Sequence, residues 1–319
     1  MKILFITSNR IGDAVLSTGL LDALAARHPE ARFTVACGPL PAPLFAAMPG
    51  VERVIALEKR PYGRHWLLLW RRTAATAWDL VVDLRGSLFA YTVRVGRRRV
   101  LRPEAMLRHQ VHRLSDLLDL AAPAPPRLWV SDAAAAEAER LVPAGAPVLA
   151  LAPTANWSGK EWPVARFAEA ARRLTGPGGI LPGGRVLLLG AAAECPRAAP
   201  LLAALPRERT LDLMGEVDLP TAYACLARAA LFIGNDSGLM HLAAASGIPT
   251  LGLFGPSRAE RYAPFGPNCA VVRTPESYEE IVGGPGFDTG SGKSYMISLA
   301  VDQVVGAAER LWQQRRKAQ

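Results

Sequence analysis

Short, unbroken apolar runs alternate with amphipathic helical segments along most of this chain. That rhythm, more than any single residue, limits what it can fold into. Ile3 to Thr7, Arg32 to Cys37, Val54 to Leu57 and Asp79 to Leu84 read as buried strands, with a helix over Ala14 to Arg27. Uninterrupted apolar strands separated by helices belong to parallel sheets covered on both faces. The pattern weakens between about Arg97 and Pro126, a basic stretch ending in Ala121-Ala122-Pro123-Ala124-Pro125-Pro126. Pro143 to Pro147 (PAGAP) reads as a linker, after which the alternation restarts. Strands are expected over Val148–Ala152, Arg185–Gly190, Leu231–Gly234 and Thr250–Phe254. Helices are expected over Pro163–Leu174, Ala198–Leu205 and Gly238–Ser246, and a long last one over Leu299–Arg315.

The expected fold class is therefore α/β, in two parallel-sheet units. The N-terminal one spans residues 1–145 and the C-terminal one 146–298. The last helix, 299–319, is expected to pack back on the N-terminal unit. Two such units on a Pro-rich joint imply a cleft between them, and ligands of open α/β sheets bind beyond the carboxyl ends of the strands.

A length of 319 residues suits two domains. With 37 Lys and Arg against 28 Asp and Glu the net charge is +9, which favours an anionic partner. No apolar run approaches the ~18 residues of a membrane helix. The opening apolar stretch is too short for a signal peptide, so a cytoplasmic protein is expected. The four cysteines are widely spaced and the five histidines form no HExxH-type cluster, which argues against structural zinc and disulfides.

Three loops after strands carry candidate chemistry. In Ser8-Asn9-Arg10-Ile11-Gly12-Asp13, Asp13 stands at a helix start, where it suits either an N-cap or a general base. Gly12 beside it permits close approach of backbone to ligand. In Pro153 to Pro163, Thr154, Asn156, Ser158 and Lys160 set hydroxyl, amide and ammonium donors at a helix entrance, a combination suited to phosphate. In the third loop, the amides of Ser237, Gly238 and Leu239 stand at a positive helix end. Asp236 there suits either a cap or a holder of sugar hydroxyls.

Two motifs are decoys. Residues 286–294 (GFDTGSGKS) miss the P-loop spacing by one residue, follow no strand, and read as a flexible loop. No Asp-x-Asp pair occurs; Glu216-Val217-Asp218 reads as a helix cap, so a divalent metal holding a nucleotide diphosphate is not indicated. The stretch Lys59 to Arg72 mixes cations with Trp and Leu. Arg94, Arg97, Arg98, Arg99, Arg102, Arg108 and Arg113 follow it. Such a surface suits an anionic leaflet together with an acidic ligand, gripped by Arg60 and Arg64.

Taken together, Arg10 to Asp13, Asp79 to Gly86, Lys160 to Pro163, Asn235 to Ala245 and Leu253 to Gly255 resemble glycosyltransferase family 9, the ADP-heptose:lipopolysaccharide heptosyltransferases. The matches span almost the whole chain in the family's order. The resemblance implies a GT-B fold of two Rossmann-like domains facing a cleft, the acceptor on the first and the nucleotide sugar on the second. It implies inverting, metal-independent transfer without a cofactor. It places the catalytic Asp on Asp13, the diphosphate-binding Lys on Lys160, and the donor loop on Asp236-Ser237-Gly238 with His241 behind it. Ser237 stands where the family has Thr, and Ala191-Ala192-Ala193-Glu194 where it often has a polar nucleotide-binding turn.

The expected partners are a nucleotide sugar, an acidic glycolipid such as the lipopolysaccharide inner core, and the anionic inner-membrane surface, where the protein would be peripheral. Nucleic acid is not expected, since no recognised module appears. The rival readings are a non-catalytic nucleotide-sugar binder on the same scaffold, and a family member using another donor and a surface-glycan acceptor.

Overall fold

The computed structural model describes residues 1–103 and 107–318. The chain divides into two compact units, Met1–Ser131 and the residues from Asp132 onward.

In the N-terminal unit the elements are β1 (Lys2–Ile6), α1 (Ile11–Arg27), β2 (Arg32–Cys37), β3 (Val51–Ala56), α2 (Arg64–Thr73), β4 (Trp78–Asp83), β5 (Val95–Val100) and α3 (Gln110–Leu117). Among the described residues the strands form a parallel sheet in the order β3-β2-β1-β4-β5. This is the doubly wound order 3-2-1-4-5. In the central strand Ile3, Leu4, Phe5 and Ile6 are all buried. Covered on both faces, such a strand needs no polar alternation, which is why it shows in the sequence as a solid apolar run.

Strand β5 escaped the sequence reading because it carries Arg97-Arg98-Arg99 on an exposed edge. Charge on an edge strand costs little and blocks pairing with another chain. The Pro-rich stretch that ends this unit is not slack. It crosses α1 at Gly19, where a Cβ would lie 2.3 Å from the Ala124 carbonyl oxygen. Thr18 Oγ1 there accepts the Arg127 amide at 3.0 Å.

The C-terminal unit contains α4 (Asp132–Leu141), β6 (Val148–Ala152), α5 (Val164–Thr175), β7 (Arg185–Leu188), α6 (Cys195–Ala204), β8 (Thr210–Asp212) and α7 (Leu219–Ala227). It continues with β9 (Leu231–Asn235), α8 (Gly238–Ala245), β10 (Thr250–Phe254), α9 (Ala259–Tyr262), β11 (Cys269–Arg273), α10 (Tyr278–Val282) and α11 (Val301–Ala318). Its described strands lie in the order β11-β10-β9-β6-β7-β8, all parallel. Counted from β6 this is the six-strand Rossmann order 3-2-1-4-5-6 read from the other edge.

Two expectations about domain limits change. The boundary falls at 131/132 instead of 145/146, because α4 packs on α7 and so belongs to the second unit. Pro143 to Pro147 is a connection inside that unit. The last helix packs on α5 and β11, with Leu299, Val304, Val305, Ala308 and Leu311 in the same core cluster as Leu149, Phe167 and Leu251. Its apolar stripe therefore completes the second sheet's covering layer, where it was expected on the N-terminal unit.

Candidate active site

Both sheets reverse their winding beside their first strand, between β1 and β4 and between β6 and β9. Ligands in such sheets sit outside the carboxyl ends of the strands at this switch point. Each switch point carries polar side chains from the loops singled out in the sequence.

In the C-terminal unit the loop after β6 turns through a short 3-10 segment, Ser158–Lys160, before α5. The Lys160 ammonium lies 2.6 Å from Asp236 Oδ2, at the turn between β9 and α8. The side chains are 23% and 8% exposed, so the pair is largely withdrawn from water. Asn235 fixes the two loops to each other. Its Nδ2 donates to the Pro153 carbonyl at 2.8 Å and its Oδ1 accepts the Trp162 amide at 3.0 Å. Asp236 therefore does not cap α8. Ser237 takes the N-cap position in extended conformation, without a capping hydrogen bond from its side chain. Its Oγ is buried without a hydrogen-bond partner among the described residues. Gly238 and Leu239 open the helix half-buried, and His241 is buried one turn further on.

The four donors expected in the loop after β6 separate. Asn156 is exposed and Ser158 half-buried. Thr154 is 2% exposed and its hydroxyl donates to Glu194 Oε2 at 2.8 Å, so its one proton is engaged inside the unit. Glu161, Glu194 and Arg197, to which the sequence assigned no role of their own, tie this loop to the start of α6. Arg197 Nη1 lies 2.7 Å from Glu161 Oε1, which also accepts the Ala155 amide at 2.8 Å. Burial raises the Glu161 carboxyl above its ordinary value, while the Ala155 amide and Arg197 pull the other way.

The stretch that imitates a P-loop is folded against the same loop. The Trp157 indole donates to the Thr289 carbonyl at 2.9 Å and packs against Phe287 and Tyr295, each with ring centroids 5.9 Å away. The Tyr295 amide donates to the Gly159 carbonyl at 3.0 Å. A Cβ at Gly159 would lie 2.3 Å from the Trp157 ring, so glycine is what lets the indole fold over this backbone. Past the ends of β7 and β8 lies an apolar cavity of about 320 Å³, lined by Leu188, Cys195, Ala199, Leu202, Asp212 and Met214 among others.

In the N-terminal unit Asp13 is the third residue of α1, not its cap, and Arg10 holds the N-cap position. Ser8 Oγ donates to Asp13 Oδ2 at 3.5 Å and accepts the Arg10 amide at 3.1 Å. Gly12 lies in the same first turn, half-buried. A carboxylate in a first helical turn is stabilised in its charged form by the helix dipole.

The sequence motif Asp79 to Gly86 adds a residue not assigned there. Arg85 Nη1 donates to Asn9 Oδ1 at 3.4 Å across the switch point, and its guanidinium lies 4.8 Å from the Trp66 ring centroid. Asp83 is fully buried beneath it and accepts the amides of Arg85 at 2.8 Å and Ser87 at 3.0 Å. The rule that ligands gather at strand ends could have found Arg85. Arg60 and Arg64 are exposed around the start of α2. That helix buries His65, Leu69 and Thr73 and exposes Leu67 and Trp70.

Among the described residues no group of three or more His, Cys, Asp or Glu side chains is placed to hold a metal ion. No described helix is long and apolar enough to cross a membrane.

The family model of glycosyltransferase family 9 (heptosyltransferase) matches residues 85–282. Lipopolysaccharide heptosyltransferase 1 of Pseudomonas aeruginosa is 30% identical over 81% of this chain and 79% of its own length. Lipopolysaccharide heptosyltransferase 2 of Salmonella typhimurium is 28% identical over 88% of this chain and 90% of its own length. The solved structure of the Escherichia coli ADP-heptose lps heptosyltransferase II, 26% identical, covers 99% of this chain and 100% of its own with a TM-score of 0.75. With its two parallel-sheet α/β domains and these relatives, the chain belongs to glycosyltransferase family 9 and is a glycosyltransferase.

Proposed function

We propose that this protein transfers a heptose from ADP-heptose to a hydroxyl of the lipopolysaccharide inner core, with inversion and without a metal. The observation that carries the reading is the Lys160–Asp236 pair at the switch point of the second sheet, beside the amino-terminal end of α8. An ammonium and free helix amides together suit a diphosphate. The relatives' names, lipopolysaccharide heptosyltransferase and ADP-heptose lps heptosyltransferase, support the choice of sugar and of a lipopolysaccharide acceptor. The apolar cavity past β7 and β8 suits a flat heterocyclic base.

In this reading the acceptor oxygen forms its bond to the anomeric carbon from the face opposite the leaving group. Its proton passes to the Asp13 carboxylate. The bond from the anomeric carbon to the diphosphate oxygen breaks, and that oxygen leaves with the electron pair. Lys160 and the amides of Ser237, Gly238 and Leu239 stabilise the charge that develops there. His241 supports the donor loop from within α8. Asn156 and Ser158 are free to turn toward the donor; Thr154 acts through Glu194.

Arg60 and Arg64 take the acidic groups of the acceptor, as bidentate partners of phosphate or carboxylate. Tyr62, Leu67, Trp70, Leu88 and Tyr91, among the exposed apolar side chains of the N-terminal unit, support peripheral attachment to the anionic inner membrane. The test is transfer by the purified protein from ADP-heptose and from other nucleotide sugars to heptose-free and heptose-bearing inner-core acceptors. Transfer from ADP-heptose that persists in a chelator, with the inverted anomer in the product, is expected. Transfer from a different donor alone would replace the substrate, and transfer abolished by chelation would end the metal-independent reading.

A further inference from the structure

Arg197 is the third residue of α6, where the positive end of the helix disfavours a cation. Three acceptors offset that cost. Its Nη1 lies 2.7 Å from Glu161 Oε1, its Nη2 lies 3.5 Å from Glu194 Oε1, and Nη2 also donates to the Ala155 carbonyl at 3.1 Å. Glu161 in turn accepts the Ala155 amide at 2.8 Å, which closes the segment 155–161 at its neck. Glu194 accepts the Thr154 hydroxyl at 2.8 Å and the Ala191 amide at 3.1 Å. One guanidinium thus ties both ends of the loop that carries Lys160 to the turn that follows β7.

The arrangement is not explained by core packing. The Arg197 side chain is 38% exposed, so removing it leaves no cavity in the hydrophobic interior. It does leave two carboxylates unneutralised at the neck of the loop that carries Lys160, one of them on the residue that follows Lys160 in the chain. An anionic ligand at Lys160 would meet their repulsion.

We propose that Arg197 is a positioning residue of the donor site, holding the Lys160 loop in its binding shape and screening Glu161 and Glu194 from the donor's diphosphate. This rests on the reading that the Lys160 loop takes that diphosphate. The arginine fork is essential to it. A lysine carries the charge but offers a single point, which cannot hold two carboxylates and a carbonyl in fixed directions. Arg197 touches no reacting atom, so its loss acts on donor binding more than on turnover.

The experiment compares Arg197→Met, Arg197→Lys and the double variant Arg197→Met/Glu161→Gln, with Lys160→Ala alongside. Titration calorimetry with ADP and the kinetics of transfer are read for each, with thermal melting as the folding control. Arg197→Met is expected to weaken ADP and raise the donor KM roughly tenfold, below the ~100-fold of an ångström-scale misplacement at the chemistry. Its kcat should change less, and its acceptor KM not at all. Arg197→Lys should recover part of the loss. The double variant should recover part as well, because one of the unneutralised carboxylates is gone; a merely structural arginine would give no such recovery.

If Arg197→Met fails to fold, Arg197→Lys carries the comparison. Wild-type ADP affinity in both Arg197 variants while Lys160→Ala has lost it would overturn the proposal and leave the Lys160 reading standing. Wild-type affinity in Lys160→Ala as well would end both.

Discussion

The Lys160 ammonium sits 2.6 Å from the Asp236 carboxylate and joins the turn before α5 to the turn before α8. The two residues are distant in sequence, and each loop read alone offers a bland role, a surface lysine or a helix cap. Paired, and largely shielded from water, each sets the position of the other.

The pair makes the effects of its two members non-additive. Lys160→Ala is expected to weaken ADP roughly 10–100-fold, the ~1.5–3 kcal/mol of a charged hydrogen bond. Asp236→Ala leaves the ammonium without its fixed partner and should also weaken ADP, though less. In the double variant the loss should fall short of the sum by ~0.5–3 kcal/mol. Calorimetric titration of all three decides it; strictly additive losses would mean that the pair does not act on the ligand as a unit.

Asp13→Asn keeps the volume of the side chain and removes its basicity. Transfer should fall by ~10²–10⁴-fold while ADP affinity stays near wild type. Because Asp13 lies inside the first turn of α1 and is not its cap, the helix should survive, as circular dichroism would show. Near wild-type turnover by the folded variant would remove the base role.

Reversal of charge at Arg60 and Arg64 tests the acceptor surface. Both are exposed, so the double Glu variant should fold. The acceptor KM should rise and binding to anionic vesicles should drop roughly tenfold or more, at ~1 kcal/mol per cation near such a surface. Co-sedimentation across a salt series reads the membrane half, and steady-state kinetics the acceptor half. Unchanged values in both measurements would count against this surface altogether.

Gly159→Ala forces a methyl group into the Trp157 indole, where a Cβ would lie 2.3 Å from the ring. The ring must leave the Phe287–Tyr295 cluster and give up its bond to Thr289. Overpacking of this kind costs ~1–3 kcal/mol. A lowered melting temperature and a red-shifted tryptophan emission are expected, together with weaker ADP. An unshifted emission would show that the indole already lies elsewhere in solution.

Glu161 gives the protein a pH signature. Burial raises its carboxyl above the ordinary 4.5, with the Ala155 amide and the Arg197 charge opposing and the Glu194 charge adding. The folded state therefore holds this proton more readily than the unfolded one. The resulting stabilisation is complete below 4.5 and is lost as the pH rises through the raised value. Relative to Glu161→Gln, which does not titrate, the wild type should lose stability over that weakly acid window. Urea midpoints of the two proteins, measured side by side, give the difference; a gap that stays constant with pH would refute the assignment.

Much of this protein is set by local sequence. The solid apolar runs of β1, β6, β9 and β10 dictate buried parallel strands, because a strand covered on both faces has no polar side to display. Asp218 caps α7 as its position before Leu219-Pro220 suggests, accepting the Thr221 amide at 2.9 Å. The loops with the candidate chemistry follow from the strand ends. What local sequence does not carry is any contact whose partners are far apart in the chain. β5 depends on an edge where arginines are tolerated, and α11 on a gap in the covering layer of the second sheet. The engagement of Thr154 by Glu194, the Arg197 fork and the Lys160–Asp236 pair each join residues from separate loops. Their energies come from burial and charge proximity, which exist only once the sheets have brought those loops together, so the tertiary structure alone decides them.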